Sequence, residues 1–218
     1  RPKLTLAVAK ACGESSFIVA MAAAVSIEML HCASLVHDDM PCFDNADLRR
    51  GKPSVHAQYG QALALMVGDG LIIQAFDHLA RRLALMPDRL ASVLPVVTQG
   101  VGTVRGIVAG QAWECEANRD LALYQQAKTG SLFAACTMAG AAAAGRDAAP
   151  WNALGLAIGE AFQVADDIRD TQSSTEEMGK PAQQDAANGR SNAVAVYGLE
   201  GAQKHFDALL QKAINCIP

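Results

Sequence analysis

The fold is decided by one stretch, residues 17–44, which reads FIVAMAAAVSIEMLHCASLVHDDMPCFD. Its first part is mostly Ala, Val, Ile, Leu and Met, a composition that favours a helix apolar over most of its circumference. The stretch then reaches Asp38 and Asp39, followed by Pro41, whose ring does not fit inside a helix. We therefore predict a buried helix that ends in an acidic cluster, with Asp44 folding back toward Asp38.

Apolar residues recur at helical spacing along most of the remaining chain. The predicted helical stretches are residues 4–35, 62–85, 90–115, 121–144, 151–168 and 192–214. Pro and Gly separate them, no stretch is a confident strand, and no linker or repeat divides the chain. The sequence predicts one all-α domain over residues 1–218, whose helices pack around a large core or against a partner subunit.

Composition excludes several classes of protein. Of the 218 residues 51% are hydrophobic, which is incompatible with a disordered chain, and the net charge of −4 disfavours non-specific binding to nucleic acid. The longest apolar runs, residues 17–27 and 132–145, are shorter than the roughly 18–20 residues that a bilayer requires. We expect no nucleic-acid partner and no membrane span.

Six cysteines are spread along the chain without a C-x-x-C pair, and several lie among Ala and Leu. This pattern is typical of buried free thiols in a reducing compartment, so a cytoplasmic location is expected. The chain begins with Arg1-Pro2 inside apolar, helix-like sequence and ends with Ile217-Pro218. We expect that both natural ends lie beyond these residues.

A second acidic cluster lies at residues 162–170, FQVADDIRD. Asp166 and Asp170 are four residues apart and share a helical face with Gln163, at about 100° per residue. Carboxylates one turn apart repel each other unless a cation compensates, and Mg²⁺ prefers such hard oxygen ligands. A lone Asp-Asp pair more often marks a solvated helix end. Two such clusters in a chain only 18% charged favour a paired metal site.

Cations accompany the acidic clusters. The first cluster is followed by residues 49–53, RRGKP, which could be a solvated loop or could bind a phosphate group. Lys128 precedes Gly130, which can loosen a helix locally, and Lys180 follows the second cluster. His31 lies two turns before the first aspartate and shares its face, although a single His on an apolar helix is more often a core residue.

The two clusters resemble a known family. Residues 37–54, HDDMPCFDNADLRRGKPS, resemble the first aspartate-rich motif of the trans-isoprenyl diphosphate synthases, and residues 162–170 resemble the second. Shorter motifs (VGD, GQ, KTG and GKP) follow the family's order along essentially the whole chain. The resemblance is greatest to bacterial geranylgeranyl diphosphate synthases, and it implies a bundle of about ten or more helices around a central cavity.

The resemblance implies a role for individual residues. The implied metal ligands are Asp38, Asp39, Asp44, Asp166 and Asp170, with Asp167 supporting them. The implied contacts to the allylic diphosphate are Arg49, Lys128, Thr129 and Lys180, and Gln163 would lie near the reacting carbons. The implied contacts to isopentenyl diphosphate are Arg1, His31 and Arg50.

The resemblance also implies the reaction. Three Mg²⁺ ions would assist the departure of diphosphate from an allylic substrate (dimethylallyl, geranyl or farnesyl diphosphate), which then joins isopentenyl diphosphate, and the enzyme would be a homodimer. Family members stop at fifteen carbons when a bulky residue stands five positions before the first aspartate. That position is Ala33, followed by Ser34, and both are small. We expect geranylgeranyl diphosphate as the product, with farnesyl diphosphate as the alternative.

Two departures and three alternatives remain. The family's Gly-Gly-Lys-Arg-x-Arg-Pro stretch is represented only by Arg1-Pro2, so we expect weak binding of isopentenyl diphosphate, and residues 189–192 read GRSN where many members have Gly-Lys-x-Thr. A terpene cyclase of the same fold would carry Ser or Thr at Asp170 and Glu at Ser174. A non-catalytic subunit would tend to lose its aspartates. The last alternative is a helical bundle with accidental acid pairs.

Overall fold

The structure is a computed structural model that describes residues 1–14, 17–116, 121–172 and 192–218. The α-helices are α1 (Pro2–Ala11), α2 (Ile18–Asp38), α3 (Val55–Tyr59), α4 (Gln61–Arg82), α5 (Pro87–Val101), α6 (Ile107–Glu114), α7 (Leu121–Gln125), α8 (Ser131–Ala143), α9 (Asn152–Gln172) and α10 (Ala193–Asn215). A π-helix covers Gln126–Gly130 and a 3₁₀ turn covers Ala149–Trp151. The all-α prediction is confirmed.

The core lies around α2 and α8, which contact most of the other helices. Both helices are rich in alanine, so neighbouring backbones approach closely: a Cβ added to Gly140 of α8 would lie 2.6 Å from the Thr5 carbonyl oxygen of α1. Larger side chains such as Ile27 and Leu79 fill the space between α2 and α4. The buried Ser26 hydroxyl donates to the Ala75 carbonyl at 2.9 Å and ties these two helices together.

The structure corrects the predicted helical stretches at two places. Residues 4–35 form two helices, because the chain turns at Gly13 (φ 91°) and Phe17 (φ 56°). Residues 90–115 also form two helices, α5 and α6. The chain folds tightly on itself between them, since a Cβ on Gly106 would lie 2.3 Å from the Gly102 nitrogen. Periodicity alone does not reveal such tertiary breaks.

A short hairpin is a further correction, because no strand was expected. Strand β1 (Leu48–Arg49) pairs antiparallel with β2 (Lys52–Pro53), and the hairpin includes the RRGKP segment, for which a solvated loop and a phosphate-binding segment were the alternatives. Arg50 and Gly51 form the turn with φ of 53° and 74°, the left-handed conformation that suits the twist of a two-residue hairpin. The hairpin presents Arg49 and Arg50 in different directions: Arg49 is half-buried and Arg50 is exposed.

Two helices, α2 and α4, are long and apolar enough to cross a membrane by length and composition alone. The apolar part of α2 is 56% buried inside the fold, as expected of a core helix, whereas that of α4 is 22% buried. Core helices of soluble proteins pass the same test, so the finding is weak evidence for a membrane span. The absence of a span stays a prediction.

All six cysteines are free thiols, but the expectation of buried thiols holds only for Cys136: Cys12, Cys32 and Cys216 are half-buried, and Cys42 and Cys115 are exposed. Cys136 is fully buried in α8, and burial raises the pKa of its thiol. A buried thiol with a raised pKa is a packing residue rather than a nucleophile. The cytoplasmic location stays a prediction.

Candidate active site

The first aspartate motif lies where α2 ends. Met40 and Pro41 end the helix, and the chain then turns back, so that the Asp44 backbone N–H donates to the Asp38 carbonyl at 2.9 Å. The predicted return of Asp44 toward Asp38 is confirmed. The turn places the carboxylates of this motif at one end of the core helix.

Asp39 and Arg49 form a partly buried ion pair within this motif. The Arg49 Nε donates to Asp39 Oδ1 at 2.9 Å, and its Nη2 contacts the same oxygen. Burial opposes the charge of Arg49, but the hydrogen bond and the charge of Asp39 outweigh it and raise the pKa of the guanidinium. The two residues predicted to bind metal and diphosphate, respectively, therefore contact each other.

Lys128 brings a second cation to the same motif. Lys128 lies in the π-helix, which approaches α6 closely. A Cβ added to Gly110 of α6 would lie 2.5 Å from the backbone nitrogen of Lys128. Its ammonium lies 3.1 Å from Asp38 Oδ1, and Gln111 of α6 donates to that same oxygen at 2.9 Å. Burial disfavours the charged ammonium, but Asp38, Tyr124 and Glu114 outweigh it and raise the pKa of Lys128. Lys128 is thus a permanent cation at the end of α2.

The π-helix also contacts the second motif. Gly159 of α9 packs against Gly130, where a Cβ would lie 2.8 Å from the Gly130 Cα. Thr129 Oγ1 donates to Gln163 Oε1 at 3.4 Å, and Gln163 Nε2 donates to Asp167 Oδ1 at 3.2 Å. The predicted loosening of the helix at Gly130 is confirmed by the π-helix, a feature frequent at functional sites. One five-residue segment therefore connects both acidic clusters.

Asp167 is engaged by the protein itself. Its Oδ2 accepts a 2.7 Å hydrogen bond from the Ala193 backbone N–H at the start of α10, and the residue is 5% exposed. Asp166 and Asp170, on the same helix, are half-buried. The helical face predicted for the second motif is thus present.

A third cluster contains two of the residues predicted for isopentenyl diphosphate. Arg1 Nη1 lies 2.8 Å from His31 Nε2, and the guanidinium stacks over the rings of Phe133 and Phe162 at 5.2 and 5.8 Å. Burial, together with Arg1 and Arg50, lowers the pKa of His31 to about 3. His31 is therefore neutral at physiological pH and accepts a hydrogen bond from Arg1.

The remaining predicted residues lie in different parts of the chain. Arg50 lies exposed at the hairpin turn, while Lys180 lies outside the described residues, as do Ser174 and the GRSN segment before residue 192. Ala33 and Ser34 line a mostly apolar cavity of about 400 Å³ beside the end of α2. Leu30 of α2, Ile72 of α4, and Val108 and Ala112 of α6 also line it.

Sequence reasoning missed Glu114 and Tyr124. Glu114 Oε2 lies 2.5 Å from the Lys128 ammonium, and the Tyr124 hydroxyl donates to Glu114 Oε1 at 2.8 Å. The available signal was the spacing of Gln111 and Glu114, which places both on one face of α6. That spacing does not reveal which cation they meet.

The residues fit magnesium by their chemistry. Asp38, Asp44, Asp166 and Asp170 offer hard carboxylate oxygens, and the ammonium beside Asp38 shows that a cation is accommodated there. Within the described ranges, no three His, Cys, Asp or Glu side chains converge as a ready metal site. Mg²⁺ usually binds one or two carboxylates and takes further ligands from a phosphate group.

Comparisons with known proteins match this fold and site. Residues 1–216 match the polyprenyl synthetase family model, and the chain belongs to that family of prenyltransferases. It is 54% identical to a geranylgeranyl diphosphate synthase of Rhodobacter capsulatus and 51% identical to one of Cereibacter sphaeroides, covering 100% of this chain and 75% and 76% of those proteins.

Solved structures agree. A geranyltransferase from Helicobacter pylori, complexed with magnesium and isoprenyl diphosphate, superimposes with a TM-score of 0.86. The two sequences are 33% identical, and the match covers 99% of this chain and 75% of that one. The family resemblance inferred from the two motifs is confirmed.

Proposed function

We propose that the chain condenses isopentenyl diphosphate with an allylic diphosphate and releases geranylgeranyl diphosphate. The observation that carries this proposal is the π-helix, which joins the first motif through Lys128 to Asp38 and the second through Thr129 to Gln163. Two acidic clusters held on either side of one lysine suit a substrate that carries both phosphate charge and bound metal. The matched relatives named geranylgeranyl diphosphate synthase support the same reaction.

Magnesium, with three ions proposed, supplies the positive charge that stabilises the departing diphosphate. Asp38, Asp44, Asp166 and Asp170 are the proposed ligands. Asp39 belongs to the ligand set expected from the sequence, but Arg49 occupies its carboxylate, so we assign it the role of holding that arginine toward the diphosphate. Asp167 holds Gln163 and the start of α10 in the same way.

The chain's own cations bind the two substrates. Arg49, Lys128 and Thr129 line the side proposed for the allylic diphosphate, with Lys180 a further proposed contact. Arg50, with Arg1 and His31, is proposed for isopentenyl diphosphate. Since His31 is neutral, its ring nitrogen can accept from Arg1 and fix the direction of the guanidinium. The two sets of cations keep the two diphosphates apart.

The apolar residues protect the cation that ionisation produces. This allylic cation reacts with the double bond of isopentenyl diphosphate, and the proton then lost is proposed to pass to the departing diphosphate. The cavity beneath the first motif is lined mainly by apolar residues such as Leu30 and Ile72, which exclude water that would convert the cation to an alcohol. This cavity is also the proposed path of the growing prenyl tail.

Ala33 is proposed to determine product length. It lines the cavity, and its small side chain leaves room for a tail longer than fifteen carbons. Ala33→Tyr should fill this space and shorten the product to farnesyl diphosphate while condensation continues. The exposed Ala91 of α5 offers a matched control, because tyrosine there lies outside the cavity.

The experiment is an assay with labelled isopentenyl diphosphate, Mg²⁺ and each allylic primer, with the products separated by chain length. We expect a twenty-carbon product from the wild type and from Ala91→Tyr, and a fifteen-carbon product from Ala33→Tyr. No labelled prenyl product from any primer would refute the proposed activity. A fifteen-carbon product from the wild type would identify a farnesyl diphosphate synthase instead.

A cytoplasmic homodimer is proposed as the working form. The exposed apolar side chains of α4, including Leu63, Met66 and Ile73, support a helix–helix interface with a second copy. Light scattering on the purified protein should give twice the mass of one chain. A monomer at micromolar concentration would contradict the proposal.

A further inference from the structure

Glu114 and Tyr124 surround the lysine that connects the two motifs. The Lys128 ammonium lies between two carboxylates, 3.1 Å from Asp38 Oδ1 and 2.5 Å from Glu114 Oε2. All three side chains are mostly buried, with 20% of Lys128 and 13% of Asp38 and of Glu114 exposed. A buried ammonium is thus shared between a proposed metal ligand and a carboxylate that has no place among the predicted site residues.

Tyr124 fixes the position of Glu114. Its hydroxyl donates to Glu114 Oε1 at 2.8 Å, and the Lys128 ammonium lies 6.0 Å from the centre of its ring. Both oxygens of Glu114 are therefore engaged, one by the tyrosine and one by the lysine. Asp38, by comparison, receives Lys128 and Gln111 on the same oxygen, Oδ1.

A divalent cation and an ammonium on one carboxylate repel each other, even when each contacts a different oxygen. When Mg²⁺ binds Asp38, the contact of the Lys128 ammonium with Asp38 Oδ1 is therefore weakened. If the ammonium had no other anionic partner, its loss from Asp38 would leave a buried charge unpaired, which is costly. Glu114 is already within hydrogen-bond distance and can keep the ammonium.

We propose that Glu114, fixed by Tyr124, is a positioning residue that retains Lys128 when Mg²⁺ at Asp38 weakens the contact between that carboxylate and the ammonium. The inference rests on the proposed binding of Mg²⁺ at Asp38. Glu114 keeps Lys128 beside the diphosphate site and reduces the competition between lysine and metal for Asp38.

The test is a titration of Mg²⁺ followed by thermal unfolding, at a fixed concentration of inorganic diphosphate, with each variant compared with its own metal-free melting temperature. In Glu114→Gln, Asp38 is the ion-pair partner that Lys128 keeps among the residues that the structure describes, so the ammonium competes more strongly with Mg²⁺. We expect the Mg²⁺ concentration at half-effect to rise about tenfold, the effect of losing one charge-assisted hydrogen bond.

The double variant Glu114→Gln with Lys128→Gln identifies the cause. It lacks the competing ammonium, so its half-effect concentration of Mg²⁺ should return to the wild-type value or below. Because Lys128 is also a proposed diphosphate contact, inorganic diphosphate is held at a saturating concentration determined separately for each variant. The matched control is Glu200→Gln, which breaks a Glu–Lys pair of 2.7 Å on α10, away from Asp38, and should leave the titration unchanged. A merely structural role for Glu114 would lower the metal-free melting temperature without moving the titration.

Tyr124→Phe provides a second variant that removes only the hydroxyl group, and it should raise the half-effect concentration two- to threefold. Unchanged titrations in Glu114→Gln and Tyr124→Phe, or a double variant that stays shifted, would overturn the inference. The outcome is separable from that of the condensation assay. If the chain makes no prenyl product but its variants show the expected shifts, the inference stands and the proposed activity is refuted. If the chain makes the prenyl product but its variants show no shift, the proposed activity stands and the inference is refuted.

Discussion

Both aspartate motifs contain the sequence Asp-Asp near the end of an apolar helix. The two aspartates of each pair nevertheless differ in their burial and in their partners. The second aspartate of each pair, Asp39 or Asp167, is buried and bound by the protein itself. The first, Asp38 or Asp166, is less deeply buried, although Asp38 is also bound by Lys128 and Gln111. In the first motif the partner of the buried aspartate is a guanidinium, and in the second it is a backbone N–H.

From this difference in burial we propose that the second carboxylate of each pair is mainly structural and that the first takes part in the reaction. Asp39 holds Arg49, which is proposed to face the diphosphate, while Asp167 joins α9 to α10 and holds Gln163. Lys128 and Thr129 then link the two motifs across the site. Within each Asp-Asp dipeptide, the more deeply buried aspartate is therefore proposed to be structural and the other to take part in the reaction.

The largest expected effect is on the half-buried aspartates. Asp38→Ala or Asp166→Ala should reduce turnover about a thousandfold at saturating Mg²⁺, since the leaving diphosphate loses part of its charge stabilisation. The melting temperature should fall only modestly, because Asp38→Ala removes the contacts of Lys128 and Gln111 with this carboxylate but leaves the ammonium paired with Glu114. Steady-state assays and thermal unfolding of the same preparations check both. Near-normal turnover in either variant would contradict the proposed role of Asp38 and Asp166 in the reaction.

The buried aspartates should instead affect stability. Asp39→Asn should lower the free energy of unfolding by about 2 kcal/mol, because it leaves Arg49 half-buried without its counter-charge. Asp167→Asn should cost about 1 kcal/mol, the weakening of one hydrogen bond to a backbone N–H. Urea unfolding measures both. Equal decreases in the free energy of unfolding would show that stability does not depend on whether the partner of the buried aspartate is a cation or a backbone amide.

The two arginines of the hairpin are expected to bind different substrates. Arg49→Ala should raise the Michaelis constant for the allylic diphosphate about tenfold, and Arg50→Ala should do so for isopentenyl diphosphate. Arg→Lys should be damaging at both positions, since lysine cannot reproduce the planar fork of donors. Initial rates with each substrate varied in turn provide the measurement. Equal effects on both substrates would mean that the two sites are divided incorrectly.

The smallest expected effect is on the free energy of unfolding, and it concerns the Arg1–His31 cluster rather than either motif. The pKa of His31 falls to about 3 on folding, so below pH 6.5 the unfolded chain binds a proton that the folded chain does not. Stability should therefore decrease as the pH falls, by about 1 kcal/mol between pH 6.5 and 5.5. His31→Gln should flatten this part of the urea-unfolding profile. A slope unchanged in His31→Gln would assign the acid sensitivity to other groups.

Sequence alone predicted those parts of the site that depend on local chemistry. Pro41 fixed the end of α2 and the return of Asp44, and Gly130 marked the place where the helix loosens. The apolar periodicity predicted an all-α fold. These features depend on residues a few positions apart.

The rest depends on contacts between distant segments. The pairing of Lys128 with Glu114 requires α6 and the π-helix to approach over Gly110, which no local pattern encodes. The breaks between α1 and α2 and between α5 and α6 likewise result from tertiary packing rather than from hydrophobic periodicity. The unequal burial of Asp38 and Asp39 could not be predicted, because the sequence presents them as equivalent.

The most direct test of unequal roles within each pair is a crystal structure with Mn²⁺ and inorganic diphosphate, in which anomalous scattering locates the metal. We expect metal bound by Asp38 and Asp166, with Asp39 still paired to Arg49 and Asp167 still bonded to the Ala193 N–H. Metal ligated by Asp39 or Asp167, with Arg49 or Ala193 released, would contradict these unequal roles.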